Sequence, residues 1–283
     1  MSFSLALIQM HVVGGQKRDN VARAQSLIGQ ARENGADLAL LPETMDLGWT
    51  DKSSLSDAEP VPGGMPYAAL AKAASTYGIF VCAGLTESDG ASVFNSAVLI
   101  DRNGKLLAKH RKLNELVIGH PYYEQGNSLG VAHTELGAIG LMICADGFAA
   151  GQVLSRSLCY MGADLILSPC AWAVDADHDN IKKPYGDMWR NAYEPVARDF
   201  SVWIAGVSNV GLIRTGPWAG RKCIGCSLVV DSDGREVLQG PYGEDAETIL
   251  YVEVKTKKRP ARGCGWSELW KSKTANQASG AYG

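Results

Sequence analysis

The chain has 283 residues and no apolar run near the ~20 residues of a membrane span, so no spanning helix is expected. No lysine/arginine run stands out, and the formal net charge is -3. A nucleic-acid or anionic-membrane partner is therefore not indicated. The N-terminus lacks a basic start and a small-residue cleavage site, so Phe3 to Ile8 reads as a first strand and not as a signal peptide. No internal repeat, linker or internal domain boundary is visible. The seven cysteines are odd in number and mostly sit inside apolar runs such as Phe80-Val81-Cys82-Ala83. That argues against a disulfide scaffold and for a reduced, cytoplasmic chain. Cys223-x-x-Cys226 has no second pair at metal spacing, so it does not support zinc or redox work. With 46% hydrophobic and 20% charged residues, the chain can build one large globular domain or two small ones.

Strand and helix patterns alternate along it. Lys17 to Glu33 places Val21, Ala24, Leu27, Ile28 and Ala31 at helical spacing, and Asn34-Gly35 ends the helix. Asp37 to Leu41 predicts a buried strand that stops at Pro42 and delivers Glu43. A carboxylate just past a strand end lies where α/β proteins build sites, although a helix cap or loop charge reads equally well. Tyr67 to Tyr77 predicts a helix, and Ile79 to Gly84 a strand. Val93 to Asp101 and Lys105 to Lys109 flank the turn Arg102-Asn103-Gly104 as a hairpin. His110-Arg111-Lys112 follows, either a solvated edge or a strand end reaching into a cleft. Further strands are predicted at Asp164 to Ser168, Val202 to Val207, Ile224 to Asp231, Glu236 to Leu238 and Thr248 to Val254. Tyr185 to Phe200 predicts a helix. The pattern as a whole gives an α/β layered domain with mixed sheets.

Gly137 to Phe148 carries the strongest chemical signal. A short apolar run, Ala138 to Ile143, meets Cys144 and the turn Ala145-Asp146-Gly147, and a helix is predicted from Phe148 to Met161. A strand that turns sharply into a helix lifts its first turn residue out of the sheet. A thiol at a helix start is expected to have a lowered pKa and to serve as a nucleophile. The alternative is a small buried hydrophobe.

Glu43 in L-L-P-E-T, Lys112 in H-R-K-L and Cys144 in M-I-C-A-D-G stand in an order and context that resembles the nitrilase superfamily of carbon–nitrogen hydrolases. A-L-I-Q-M, V-P-G-G, F-N-S-A-V-L-I-D-R-N-G-K-L and G-C-S-L-V-V-D-S-D-G extend the resemblance over about residues 2 to 255. It implies a four-layer α-β-β-α sandwich with two mixed β-sheets, a hydrolase domain over 1–258, and a C-terminal tail, 259–283, mobile or at a subunit interface. It also implies a homodimer or higher homo-oligomer, with no metal or organic cofactor. By the same resemblance Cys144 attacks the carbon of a C–N bond, Glu43 moves the proton, and Lys112 with the Ala145 N–H stabilises the oxyanion.

The chain departs from the family in two places. Cys144-Ala145-Asp146-Gly147 replaces the Cys-Trp-Glu of nitrilases and is closer to the Cys-Asp-Asp-Gly of aliphatic amidases and formamidases. That favours a small linear amide or N-carbamoyl substrate over a nitrile. The family's second glutamate falls near His120, which leaves His120, Glu115 or Glu124 to fill that place. Tyr122 and Trp172 lie in loops that resemble pocket-lining segments, with core packing as the alternative for each. A thiol paired with His133 or His178, and a non-catalytic binding protein on the same fold, are the remaining alternatives.

Overall fold

The computed structural model describes residues 2–257, so the expected 259–283 tail lies outside the described residues. The chain opens with β1 (Ser2–Gln9), α1 (Lys17–Glu33), β2 (Leu38–Leu40), the single-turn α2 (Ser54–Asp57) and α3 (Met65–Tyr77). Then come β3 (Phe80–Asp89), β4 (Ser92–Ile100), β5 (Leu106–Arg111), β6 (Val131–Thr134), β7 (Gly137–Leu141) and α4 (Val153–Tyr160). The rest is β8 (Leu165–Cys170), β9 (Ala173–Val174), α5 (Asp187–Phe200), β10 (Trp203–Ser208), β11 (Val210–Leu212), β12 (Lys222–Ile224), β13 (Leu228–Val230), β14 (Glu236–Gln239) and β15 (Thr248–Lys255).

Two six-stranded mixed sheets form, in the orders β15-β1-β2-β3-β4-β5 and β14-β13-β10-β8-β7-β6. Each has three adjacent parallel strands flanked by antiparallel ones: β1, β2 and β3 in the first, β7, β8 and β10 in the second. Because side chains alternate along a strand, each central strand is apolar on both faces. Leu5, Leu7, Leu38 and Leu40 meet Ile139, Leu141, Leu165 and Leu167 between the sheets. The intervening Ala6, Ile8, Ala39 and Leu41 face outward onto α1 and α3. Ile166 and Ile204 of the second sheet face α4 and α5. The result is the expected α-β-β-α sandwich. No helix among the described residues is long and apolar enough to cross a membrane.

One local expectation is corrected, and two features are new. The helix predicted from Phe148 to Met161 is two 3₁₀ turns, Cys144–Phe148 and Ala150–Gln152, with α4 starting only at Val153. Gly151 and Gln152 both take positive φ, +67° and +51°, which an α-helix cannot contain. A small third sheet, β11-β12-β9, and the edge strand β6 went unforeseen. Their strands of two to four residues are too short to show a period.

β3 fixes the exit from β2. Gly84 N–H donates to the Pro42 carbonyl at 3.0 Å, and its own carbonyl accepts from Met45 N–H at 2.9 Å. A Cβ on Gly84 would lie 2.5 Å from Glu43 Cα and 2.7 Å from the Pro42 oxygen. Only glycine lets the two backbones approach this closely. Gly84→Ala should therefore lower Tm and shift the Glu43 backbone, while Gly130→Ala, with open space around it, should do neither. Paired thermal melts check this; equal melting temperatures would count against the close contact.

Candidate active site

Glu43 leaves the end of β2 and is buried, its backbone N–H donating across to the carbonyl of Cys170 in the second sheet at 3.2 Å. Thr44 beside it has φ +40°, a costly conformation for a β-branched residue. Lys112 follows β5 and is tied by its N–H to the Asn95 carbonyl on β4, 2.9 Å away. Its Nζ donates to Glu43 Oε1 at 2.8 Å and to Glu115 Oε1 at 2.9 Å. The Asn95 amide completes the group, Nδ2 reaching Glu43 Oε1 at 2.6 Å and Glu115 Oε2 at 3.1 Å. All three charged side chains are at most 4% exposed.

Burial raises the Glu43 carboxyl above its ordinary range, with Lys112 opposing and Glu115 assisting the rise. Burial works against the Lys112 charge, but Glu43, Glu115 and Cys144 outweigh it and hold the ammonium well above its usual pKa. The site thus holds a charged lysine beside a carboxylate with an enhanced proton affinity.

Cys144 follows β7 and β-region Ile143, and it takes φ +43°, the left-handed conformation of a sharp turn. Its N–H donates to Ser168 Oγ at 3.2 Å. The lowered thiol pKa expected from a helix start is not found. A hydrogen bond with Cys170, burial and the Glu43 charge raise it well above the usual value, although Lys112 opposes them. The cysteine sits in a 3₁₀ turn, so no helix dipole acts on it. The resting thiol is protonated and must give its proton to a neighbour before it can attack.

Asp146, two residues on, is fully buried and gathers four donors: His110 Nε2 at 2.8 Å, Ile143 N–H at 2.9 Å, Leu113 N–H at 3.1 Å and Asn114 N–H at 2.8 Å. Burial pushes its carboxyl up, but His110 and these N–H groups prevail and hold it below its ordinary range. The segment that carries Lys112 is thereby bound to the turn that carries Cys144.

Glu43, Lys112, Cys144 and Ala145 line one cavity of about 260 Å³. Its remaining wall is largely aromatic. Trp172 lines it while packing in the core, stacked on Trp189 at 4.4 Å between ring centroids, so both readings of this residue hold. Tyr122 does not line the cavity; it packs into a small apolar cluster with Trp49, Tyr123 and Ala171. Among the three residues left open for the second glutamate, the structure brings in Glu115. His120 and Glu124 are both exposed and do not line the cavity. Neither His133 nor His178 lines the cavity. Cys223 and Cys226 are free. Among the described residues, no group of three or more His, Cys, Asp or Glu side chains is placed to hold a metal ion.

Sequence reasoning missed Asn95 and the clamp made by Asp146. A lone asparagine inside the apolar strand Val93 to Ile100 is the signal that could have found the first, since a buried amide requires partners.

Lys112→Met should strand two buried carboxylates, lowering stability by about 3–5 kcal/mol near neutral pH. A buried carboxyl with a raised pKa binds its proton more tightly in the folded state, so stability recovers as pH falls through that pKa. The deficit should therefore narrow on acidification and shrink in the double variant with Glu43→Gln. Urea unfolding at two pH values checks both; a deficit that is independent of pH would contradict the stranded charge.

Comparison with known proteins agrees with this geometry. The family model described as carbon-nitrogen hydrolase matches residues 4–261. A nitrilase of Pyrococcus abyssi is 31% identical, with 90% of this chain and 92% of that protein covered. An omega-amidase of Homo sapiens is 32% identical over 91% of this chain and 90% of its own length. Among solved structures, a carbon-nitrogen hydrolase from Helicobacter pylori superposes with a TM-score of 0.78 at 20% identity, over 90% of each chain. An amidase from a Nesterenkonia species gives 0.75 at 20% identity, over 95% of each. The chain belongs to the carbon–nitrogen hydrolase family, the nitrilase superfamily, and is a hydrolase of C–N bonds.

Proposed function

We propose that this chain is a thiol amidohydrolase that cleaves a small linear amide or N-carbamoyl compound through an acyl-enzyme on Cys144. The observation that carries the reading is that buried Glu43 and Lys112, the latter also bound by Glu115, line the same cavity as the Cys144 thiol. As Sγ bonds to the carbonyl carbon, its proton passes to Glu43. The carbonyl oxygen takes up negative charge against Lys112 Nζ and the Ala145 N–H. Collapse re-forms the C=O bond and expels the amine with the proton from Glu43, leaving a thioester on Cys144. Water then gives a proton to Glu43 and attacks the thioester carbon; the acid leaves and Cys144 regains its proton.

Glu115 and Asn95 position this machinery: they hold Lys112 and Glu43 without reaching the thiol themselves. A nitrile substrate is the second reading, favoured by the Pyrococcus abyssi relative. The turn Cys144-Ala145-Asp146-Gly147 lacks the Cys-Trp-Glu of nitrilases, which supports the amide. The free thiols of Cys82, Cys144, Cys170, Cys223 and Cys226 suit a reducing, cytoplasmic setting. Exposed Val153, Tyr160, Met161 and Met188 on α4 and α5 suit a homodimer.

Cys144→Ala should lose several orders of magnitude in kcat with an unchanged melt. Mass spectrometry of the wild type quenched during amide turnover should find the acyl mass on the Cys144 peptide. Full activity in the variant, or an adduct on Cys170 instead, would end this reading. A nitrile incubated in parallel, with acid and ammonia measured, decides the second one.

The pH profile follows from Glu43. The base must be ionised, so kcat/KM falls as pH drops through its raised pKa. The Glu115 charge contributes to that rise. Glu115→Gln should therefore move the acid limb to lower pH while reducing kcat; a limb that stays put or moves upward would contradict the coupling.

A further inference from the structure

The cavity walls determine which acyl group the site can take, and this inference rests on the amidohydrolase reading above. Two aromatic groups border the cavity. On one side, Trp189 stacks with Trp172 and meets Phe148 at 4.3 Å between ring centroids, with Tyr185 6.1 Å from Trp172. Trp49 and Trp218, packed edge to face at 4.8 Å, form the other.

Charge is confined to the reacting end. Lys112 is the cation on the wall among the described residues, and both Glu43 and Glu115 already bind it. With both carboxylates ionised that group is net negative. Arg221 stacks on Trp218 at 4.6 Å but lies off the cavity wall and pairs with Asp175 at 2.9 Å.

A substrate carboxylate entering this cavity would lose its water, gain no free cation from the cavity wall among the described residues and face a net-negative group. Burying an unpaired charge is among the costliest events in a protein. A flat, uncharged group instead gains contact with the aromatic side chains that line the cavity.

We infer that the acyl side of the substrate is uncharged and ends in an aromatic or compact apolar group, and that a monoamide of a dicarboxylic acid is excluded. Trp218, on a half-buried loop, is the residue that determines this selection with least cost to the core.

The test measures ammonia release by the full-length protein from phenylacetamide, butyramide and succinamate. The expected order is phenylacetamide above butyramide above succinamate. The charged amide should fall at least about 100-fold below phenylacetamide in kcat/KM, in line with rejection of groups left unpaired in a site. Succinamate turned over as well as butyramide would overturn the inference while leaving the thiol amidohydrolase intact. No ammonia from any of the three would overturn the inference, and the amidohydrolase reading then stands or falls on the Cys144 adduct above.

Trp218→Arg adds a cation at the wall and removes one aromatic surface. It should raise succinamate and lower phenylacetamide, shifting their kcat/KM ratio at least about tenfold. Trp218→Leu keeps the wall apolar and should weaken phenylacetamide without helping succinamate. A ratio unchanged in both variants, each with a wild-type melt, would overturn the assignment of Trp218.

Discussion

One buried carboxylate joins the two halves of the site. Asp146 lies in the turn after β7, yet three of its four donors come from the first sheet's last strand and the residues after it: His110, Leu113 and Asn114. Asn114 returns the contact, its Nδ2 donating to the Ala145 carbonyl at 2.6 Å. Two facing sheets held by apolar contacts alone can slide, because that attraction has no direction. The Asp146 bonds are directional and charge-assisted, and they act within two residues of both Lys112 and Cys144. A second tie, from Glu43 N–H to the Cys170 carbonyl, joins the sheets on the other side of the cysteine. The distance between the ion group and the thiol is therefore set by polar bonds, and the core between the sheets supports them.

Conformational strain collects at the same place. Thr44 and Cys144 both take positive φ where neither side chain favours it, and each adjoins or is a residue proposed to act. Such a residue keeps its conformation only when its surroundings leave no alternative. For Thr44 the surroundings are Pro42 and Met45, both hydrogen-bonded to Gly84. For Cys144 they are Ser168 Oγ ahead of the turn and Asp146 within it. Burying Glu43, Lys112 and Glu115 adds a further cost that the mutual ion pairs offset only while all three are present.

The layered fold was legible because its strands are apolar on both faces, a pattern that survives in a single sequence. Glu43 and Cys144 stood out because each follows such a strand; Lys112 follows the polar edge strand β5, and the family resemblance supplied it and the grouping of the three. The choice among Glu115, His120 and Glu124 was not legible, since it depends on how a loop turns after Lys112. Sequence distance favoured His120; the short 3₁₀ turn Val117–Gly119 carries it outward, and Glu115 reaches Lys112 from three residues away. The direction of the thiol shift was misread for a related reason. The sequence predicts a helix from Phe148, just past the cysteine turn, but left-handed residues at Gly151 and Gln152 delay it to Val153. Asn95 gave a signal that periodicity alone discounts: a polar residue where the strand is otherwise buried.

The two halves divide the work unevenly. The first sheet and its loops supply Glu43, Lys112, Glu115 and Asn95, a buried polar group joined by the Lys112 ammonium and the Asn95 Nδ2. The second half supplies Cys144 and most of the wall: Phe148, Trp172, Tyr185 and Trp189. The polar group tolerates little change, because losing any member leaves a buried charge or amide without its partner. The wall is held by stacking and apolar contact, which tolerate replacement when volume is kept. Trp218 sits furthest from the polar group in this sense, on a loop between β11 and β12 that belongs to neither large sheet. A fold arranged this way can change the acyl group it accepts through the wall while the ion group and the thiol keep their geometry.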